Sequence, residues 1–404
     1  MIKLAYRNLW RNKRRTLITI ASIFFSVVLA ILMRGYHGGA WSSLLENVLH
    51  SYTGYLQVHA KGYWDEKTLD YTMVWNDSLK NEICKNKDVR NIVPRVESFA
   101  LASAGEKTKG VIVVGIDPAI EEDFTKLTKK MVQGQMLKAN DNEVMLSQRL
   151  AKFLNISVGD TLTLLSQGYQ GASAAGVFRV KGIVKLPSPE WDNQLVYLPL
   201  STAQNFYSLQ GRLTSIVVDI YKTRRLDKIA TALTKKLDPN KYEVMTWKEM
   251  LVELYQEYVS DESGGKIFLA LLYLIIGFGI FGTVMMMTSE RTREFGVLVA
   301  VGMKRYRLVG LICAEMFLIA ILGVISGMIA GVPIITYFHF NPIHLSGEYA
   351  KTMEVYGMEP VIMVLWQANY IINQGLVVFG LTIVAIAYPI YSIGKLNVIK
   401  ALRA

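Results

Sequence analysis

The pattern nearest to nucleotide chemistry in this 404-residue chain is the pair Gly265-Lys266, repeated as Gly394-Lys395. A phosphate-binding loop needs an upstream glycine, so that backbone N–H groups can approach the phosphates, and a Ser or Thr after the lysine to hold magnesium. Neither pair has them, so the chain is not expected to hydrolyse ATP. HExxH, GxSxG and CxxC are absent too. His339 and His344 lie five residues apart, a spacing that alone makes a weak metal site. No catalytic residue, metal ligand or cofactor is therefore expected here.

The densest polar chemistry is SERTREFGVLVAVGMKRYRLVGLICAE, residues 289–315, which packs eight charges between two long apolar runs. Four uncharged runs, 16–33, 267–289, 316–338 and 370–394, approach or exceed the roughly 20 residues that carry a helix across a bilayer. Residues 1–33 hold six bases and no acid, 289–315 holds five bases and three acids, and Lys395, Lys400 and Arg403 add three bases. Removing those 14 bases and 3 acids from totals of 44 and 33 leaves 30 of each. The whole excess of positive charge thus falls on one side of a four-span layout, which places both termini and the 289–315 loop in the cytoplasm. Because these bases flank apolar spans, nucleic acid is not expected as a partner. Cys84 and Cys313 then lie on opposite sides and cannot pair.

The expected fold is an α-helical membrane protein with four transmembrane helices in a 1+3 arrangement and a large mixed α+β extracytoplasmic domain between helices 1 and 2. Its parts are an interfacial amphipathic helix (1–15), a first span (16–34), the outer domain with helical stalk ends (35–266), a second span (267–289), a cytoplasmic loop (290–315), a third span (316–338), an outer loop (339–369), a fourth span (370–394) and a cytoplasmic tail (395–404). The opening helix sets Leu4, Leu9 and Trp10 among bases that would meet anionic lipid. Its length, and Arg34 after the apolar core, favour a retained span over a cleaved leader.

In the outer domain, 54–60, 109–117, 177–185, 193–200 and 214–220 have strand character, and 143–165 reads as strand, short helix, Gly159-Asp160 turn and strand. Leu226, Ile229, Leu233 and Leu237 mark an amphipathic helix over 224–237. GASAAG, 171–176, reads as a loop tip. The four uncharged runs carry no Asp, Glu, Lys, Arg or His, so an ion-driven transport cycle has no obvious carrier; Glu315 stands at the edge of the third. Gly323, Gly327 and Gly331 recur every four residues, as a close helix seam does, within the chain or between two copies. Pro333 and Pro389 are expected kinks.

Within 289–315, Val297, Leu298, Val301 and Leu308 form an apolar stripe that Gly302 interrupts. This predicts a helix leaving the bilayer, a turn with a transverse helix near 301–306, and re-entry. Its apolar side needs a cover, lipid or protein.

With LAYRNLWRNKRRTLITI at the start, NEVMLSQRLAKFLNISVGDTLTLL, FRVKGIV and VYLPLSTAQ in the outer domain, ERTREFGVLVAVGMKRYRLVGLICAE in the loop and YPIYSIGKLNVIKALRA at the end, the chain resembles the MacB/FtsX-type ABC permeases, which include LolC and LolE. The likeness spans nearly the whole chain. It implies a bacterial inner-membrane permease without an ATP site of its own, ATP and magnesium being bound by a cytoplasmic ABC ATPase dimer. It also implies a second permease subunit, in a homo- or heterodimer. The resemblance places the ATPase-coupling role on Glu290, Arg293, Glu294, Gly302, Met303 and Lys304, and it implies mechanotransmission to the outer domain. Asn397 departs from the family, which usually has proline there. A lipoprotein or other lipophilic or peptidic cargo would enter a cleft between spans one and two, for which Phe24, Phe25, Phe278 and Phe281 are the expected lining. A periplasmic lipoprotein carrier or adaptor and membrane lipids are the further partners. The alternative is an FtsX-like regulator that activates a cell-wall hydrolase.

Overall fold

The computed structural model describes residues 2–11, 13–355 and 361–403. Residues 356–360 of the expected outer loop, with Met1, Asn12 and Ala404, lie outside the described residues. The chain divides into two compact units: Met1–Ser42 with Val259–His344 and Val361–Ala404, and Ser43–Tyr258 with Leu345–Pro360.

In the first unit four helices are long and apolar enough to cross a membrane: Thr16–Thr53, Val252–Glu290, Arg305–Phe340 and Ala368–Gly394. At 1.5 Å per residue, a helix of some 36 residues rises about 54 Å, well beyond the ~30 Å hydrocarbon layer, so these helices run on past their apolar runs. The fourth is not continuous. Its first piece ends at Ala385 and the second starts at Ala387, because Pro389 has no N–H to give to Ala385 and its ring crowds that carbonyl. Pro333, expected to kink the third helix, lies inside a helix that runs on to Phe340.

The glycine seam belongs to this chain. A Cβ on Gly323 would stand 2.7 Å from Ile23 Cβ, and one on Gly327 would stand 2.8 Å from Val27 Cβ. Gly331 is similarly closed by Ile31 at 3.0 Å. Ile23, Val27 and Ile31 of the first long helix are almost fully buried, so the small residues bring the first and third helices close enough for branched side chains to fill the groove. The first long helix also meets the second, where Trp41 Nε1 donates to Asp261 and His37 Nε2 stands 3.0 Å from the same carboxylate.

The second unit is built on a mixed ten-stranded sheet. Its order is Tyr242–Thr246, Leu56–Ala60, Ser215–Ile220, Val89–Ala104, Lys107–Ile116, Leu195–Pro199, Glu143–Ser147, Ser173–Val184 and Met131–Gly134, with Thr161–Gln167 bridging Val89–Ala104 and Ser173–Val184. Two pairs are parallel, Lys107–Ile116 with Leu195–Pro199 and Glu143–Ser147 with Ser173–Val184. The segment 173–176, expected as a loop tip, is the start of a strand; the turn comes earlier, where Gln170 and Gly171 take positive φ. One sheet face carries Val96, Ala100, Val113, Ile216 and Val218 into the main core, covered by helices that include Leu226–Lys236.

The opposite face buries smaller apolar clusters, which include Val93, Val114, Ile116 and Tyr197, and beside them it buries charged groups. Arg95, fully buried, donates to both carboxylate oxygens of Glu121, at 3.0 and 2.6 Å, and to the Tyr52 carbonyl at 2.6 Å. Glu97 lies 3.6 Å from the same guanidinium. His59, on the same face, shares a 2.7 Å hydrogen bond with Gln57 Oε1. Burial, with help from the positive charge of Lys67, pushes its pKa down to about 3 although Glu243 stands 4.0 Å from Nδ1.

Two tests follow from this packing. Gly327→Val should lower unfolding stability by about 1–3 kcal/mol through overpacking, while Gly279→Val, where a new Cβ meets nothing within 4 Å, should leave it within about 0.5 kcal/mol; equal thermal shifts for the two in detergent would refute the seam. For His59, the unfolded chain takes up a proton from about pH 6.5 downward while the native state waits until about 3. Its contribution to stability is therefore complete above pH 6.5 and declines as pH falls towards 3. Between pH 7 and 5 the parent should lose about 1–2 kcal/mol more than His59→Gln, measured by denaturant unfolding at each pH.

Candidate functional site

The second long helix ends at Glu290, a connector helix runs Thr292–Ala300, and the third long helix starts at Arg305. The connector therefore lies before Gly302, where the sequence had placed a transverse helix at 301–306. Gly302 has φ +105°, a conformation that L side chains rarely adopt, and the N–H groups of Gly302 and Met303 return to Val299 and Leu298 carbonyls at 3.0 Å each. A glycine-terminated helix end of this kind stops the connector; Lys304, in extended conformation, precedes the next helix.

The centre of the site is an ion pair that sequence reading left at the span edge. Arg291 and Glu315 are both almost fully buried, and Arg291 Nη1 bonds Glu315 Oε2 while Nη2 reaches Oε1 at 3.4 Å. Asn8 Nδ2, from the N-terminal helix Ile2–Arg11, donates to Glu315 Oε1 at 2.7 Å. Arg291 Nε donates to Glu294 at 3.3 Å, and Arg11 lies 3.5 Å from the same carboxylate. The Arg291 guanidinium also sits 5.2 Å from the centre of the buried Phe295 ring. Two positive and two negative groups thus join the N-terminal helix, the connector and the third long helix. The signal available in the sequence was an acid directly before the uncharged run 316–338.

The C-terminus adds a second clamp. Arg305 donates to the carbonyls of Gly394 and Leu396 at 2.8 and 2.9 Å, and the final helix Val398–Arg403 packs on the connector. Asn397 Oδ1 accepts from Ile399 N at 3.1 Å, so the residue standing in place of the family's usual proline serves as the cap of that helix.

The expected coupling residues divide. Glu290, Arg293, Gly302 and Lys304 are exposed, with Val301 beside them 85% exposed. Met303 is partly buried against the helix core. Glu294 is held from inside by Arg291 and Arg11, which makes it part of the frame as well as the rim. The cleft aromatics have separate neighbours: Phe24 meets Phe25 at 5.1 Å, Phe281 meets Tyr388 at 5.5 Å, and Phe25 and Phe278 are mostly exposed. Among the described residues no ring contact joins the first pair to the second. No group of three or more His, Cys, Asp and Glu able to hold a metal occurs among the described residues.

A set of membrane-length helices, a large mixed-sheet head and a connector with an exposed rim over a buried ion pair define a membrane protein of the permease class. Residues 16–236 match the MacB-like periplasmic core domain and residues 266–398 match the FtsX-like permease C-terminal domain, and the chain belongs to that family. It is 24% identical over 251 residues to the lipoprotein-releasing system transmembrane protein LolC of Xylella fastidiosa, covering 60% of each chain. It is 23% identical over 339 residues to the macrolide export ATP-binding/permease protein MacB of Aggregatibacter actinomycetemcomitans, covering 79% of this chain and 50% of that one. LolE of Haemophilus influenzae is 24% identical over 237 residues, 56% of this chain and 55% of its own. The chain thus spans about three-fifths or less of the length of these curated relatives. Among solved structures, the periplasmic region of MacB from Actinobacillus actinomycetemcomitans aligns with 53% of this chain and 97% of its own, at 21% identity and a TM-score of 0.35.

Removing either member of the buried pair leaves an uncompensated charge. Arg291→Met and Glu315→Gln should each lose about 3–5 kcal/mol of unfolding stability, and the double variant Arg291→Met/Glu315→Leu should regain much of it. Thermal unfolding in detergent is the check, and single variants as stable as the parent would show that the pair is not what holds these segments.

Proposed function

We propose that the chain is the permease subunit of an ABC transporter in a bacterial inner membrane, with both termini and the connector in the cytoplasm and the mixed-sheet domain outside. A separate ATPase dimer binds ATP and magnesium, its nucleotide cycle pushes on the connector, and a pair of permease subunits carries the movement to the heads by mechanotransmission. The observation that supports this most is the contrast at the connector: an exposed rim of Glu290, Arg293, Gly302 and Lys304 over a buried, multiply bonded Arg291–Glu315 pair. A rim held by such a pair moves with the third helix instead of bending away from it. The spans of the first unit offer no row of charges for an ion-driven cycle.

The cargo we favour is a lipoprotein, taken from the outer leaflet through the cleft beside Phe24, Phe25, Phe278 and Phe281. Its acyl chains suit the apolar, lipid-exposed surfaces of these helices, and a lipoprotein carrier or adaptor would receive it. The similarity to LolC and LolE supports this choice; the macrolide named for MacB and activation of a cell-wall hydrolase are the alternatives.

The coupling test uses exposed residues outside the buried pair. Arg293→Glu with Lys304→Glu should abolish co-purification of the ATPase from native membranes, or reduce it at least tenfold, with unfolding temperature unchanged. Undiminished ATPase recovery would reject the coupling role. Photocrosslinking from Phe278 separates the cargo readings: acyl-chain adducts support extraction, and a hydrolase captured on the outer domain with no such adducts supports regulation.

A further inference from the structure

On the face of the head's sheet that buries ions there is a cavity of about 60 Å³. Its walls include the rings of Tyr52, Tyr63, Trp64, Phe99 and Trp191. The position of Trp64 is fixed from behind: Glu243 accepts hydrogen bonds from the Gly62 and Trp64 backbone N–H groups, both at 3.2 Å. Burial holds the phenols of Tyr52 and Tyr63 above their usual range, so these rings remain neutral walls.

The charges around this cavity do not balance. Arg95 is one buried cation facing two buried carboxylates, bonded bidentately to Glu121 and lying 3.6 Å from Glu97. His59, neutral at physiological pH, adds nothing. Glu97 lines the cavity and holds the surplus negative charge, with its carboxylate steadied by Ser215 Oγ at 3.1 Å and by the Tyr52 hydroxyl. A buried anion next to aromatic faces attracts a cation twice, by charge and by ring quadrupole. Thr53, also in the wall, has a buried hydroxyl oxygen with no hydrogen-bond partner.

The chain already places a cation at this mouth. Lys67 lines the cavity, and its Nζ stands 4.4 Å from the centre of the Trp64 ring. Its side chain is exposed, and a cation–ring contact at an exposed site is weak, so a competing cation can displace it.

We propose that this cavity is a binding site for a primary alkylammonium group, which displaces Lys67 from the Trp64 face and lodges between the rings and Glu97. The cavity is small, about 60 Å³, which suits an –NH3+ and its first methylene better than a bulkier trimethylammonium. The group could arrive on a lysine of an extracytoplasmic protein or on an ethanolamine lipid headgroup. The proposal is independent of the coupling role, since every residue it uses lies within Ser43–Tyr258.

The test is a titration of the full chain in phosphatidylcholine nanodiscs with n-butylammonium, read by 19F NMR of fluorotryptophan at Trp64 and Trp191. Saturable shifts are expected, with affinity raised at least threefold in Lys67→Ala and lowered at least tenfold in Glu97→Gln. Tetramethylammonium and butan-1-ol should give none. Should Glu97→Gln lose the resonance dispersion of a folded head, Trp64→Leu, read at Trp191, takes its place with the same tenfold loss expected. Competition by a short lysine peptide identifies a protein lysine as the source, and weaker apparent binding in phosphatidylethanolamine nanodiscs identifies the lipid. No saturable shift in Lys67→Ala, or equal shifts with butan-1-ol, would overturn the proposal.

Discussion

The bond between Arg291 and Glu315 is the constraint on which one end of the membrane unit depends. Two charges taken out of water at the end of a helix bundle are tolerated only when nearly every donor and acceptor is matched, and here Asn8, Glu294, Arg11 and the Phe295 ring supply the matches. Because the pair and its partners come from three separate segments, they fix the N-terminal helix, the connector and the third long helix to one another. An apolar contact would hold them together without specifying their register. The directional bonds specify it, and so give the exposed rim a rigid base.

Elsewhere in that unit the packing is steric. Glycines every four residues let the first helix's β-branched side chains sink into the third, so the two move as a layer. Farther along, Gly302 ends the connector by a backbone conformation, Arg305 clamps the two carbonyls before the last helix, and Asn397 starts that helix. Each junction is made by a different device, and each stops a helix where the chain must turn.

In the head, one sheet face is an ordinary apolar core and the other buries ions. The longest strand, Val89–Ala104, lies at the boundary of both and was not legible in the sequence. Strand recognition looks for alternating apolar and exposed polar residues. In this strand Arg95 and Glu97 are buried, Phe99 and Leu101 are exposed, and the inward positions of the apolar face include small alanines, so the alternation is inverted along half its length. The strands over 56–60, 215–220 and 195–199 carry more regular β-branched runs, and those were legible.

Length of apolar run, the one-sided excess of bases and the order of motifs are properties of the chain read locally, so the four membrane-length helices, the mixed α+β head and the permease family were contained in the sequence itself. Composition also argued against a phosphate loop, since that chemistry needs contiguous residues. What needed the tertiary structure was every pairing between distant positions: Arg291 with Glu315 and Asn8, Gly327 with Val27, Arg95 with Glu121, and Glu97 beside Trp64 and Trp191. In sequence each of these is an isolated residue with an ordinary bland reading. Burial makes them matter, because a charge or a missing side chain acquires a large energy only when folding removes water and supplies the partner.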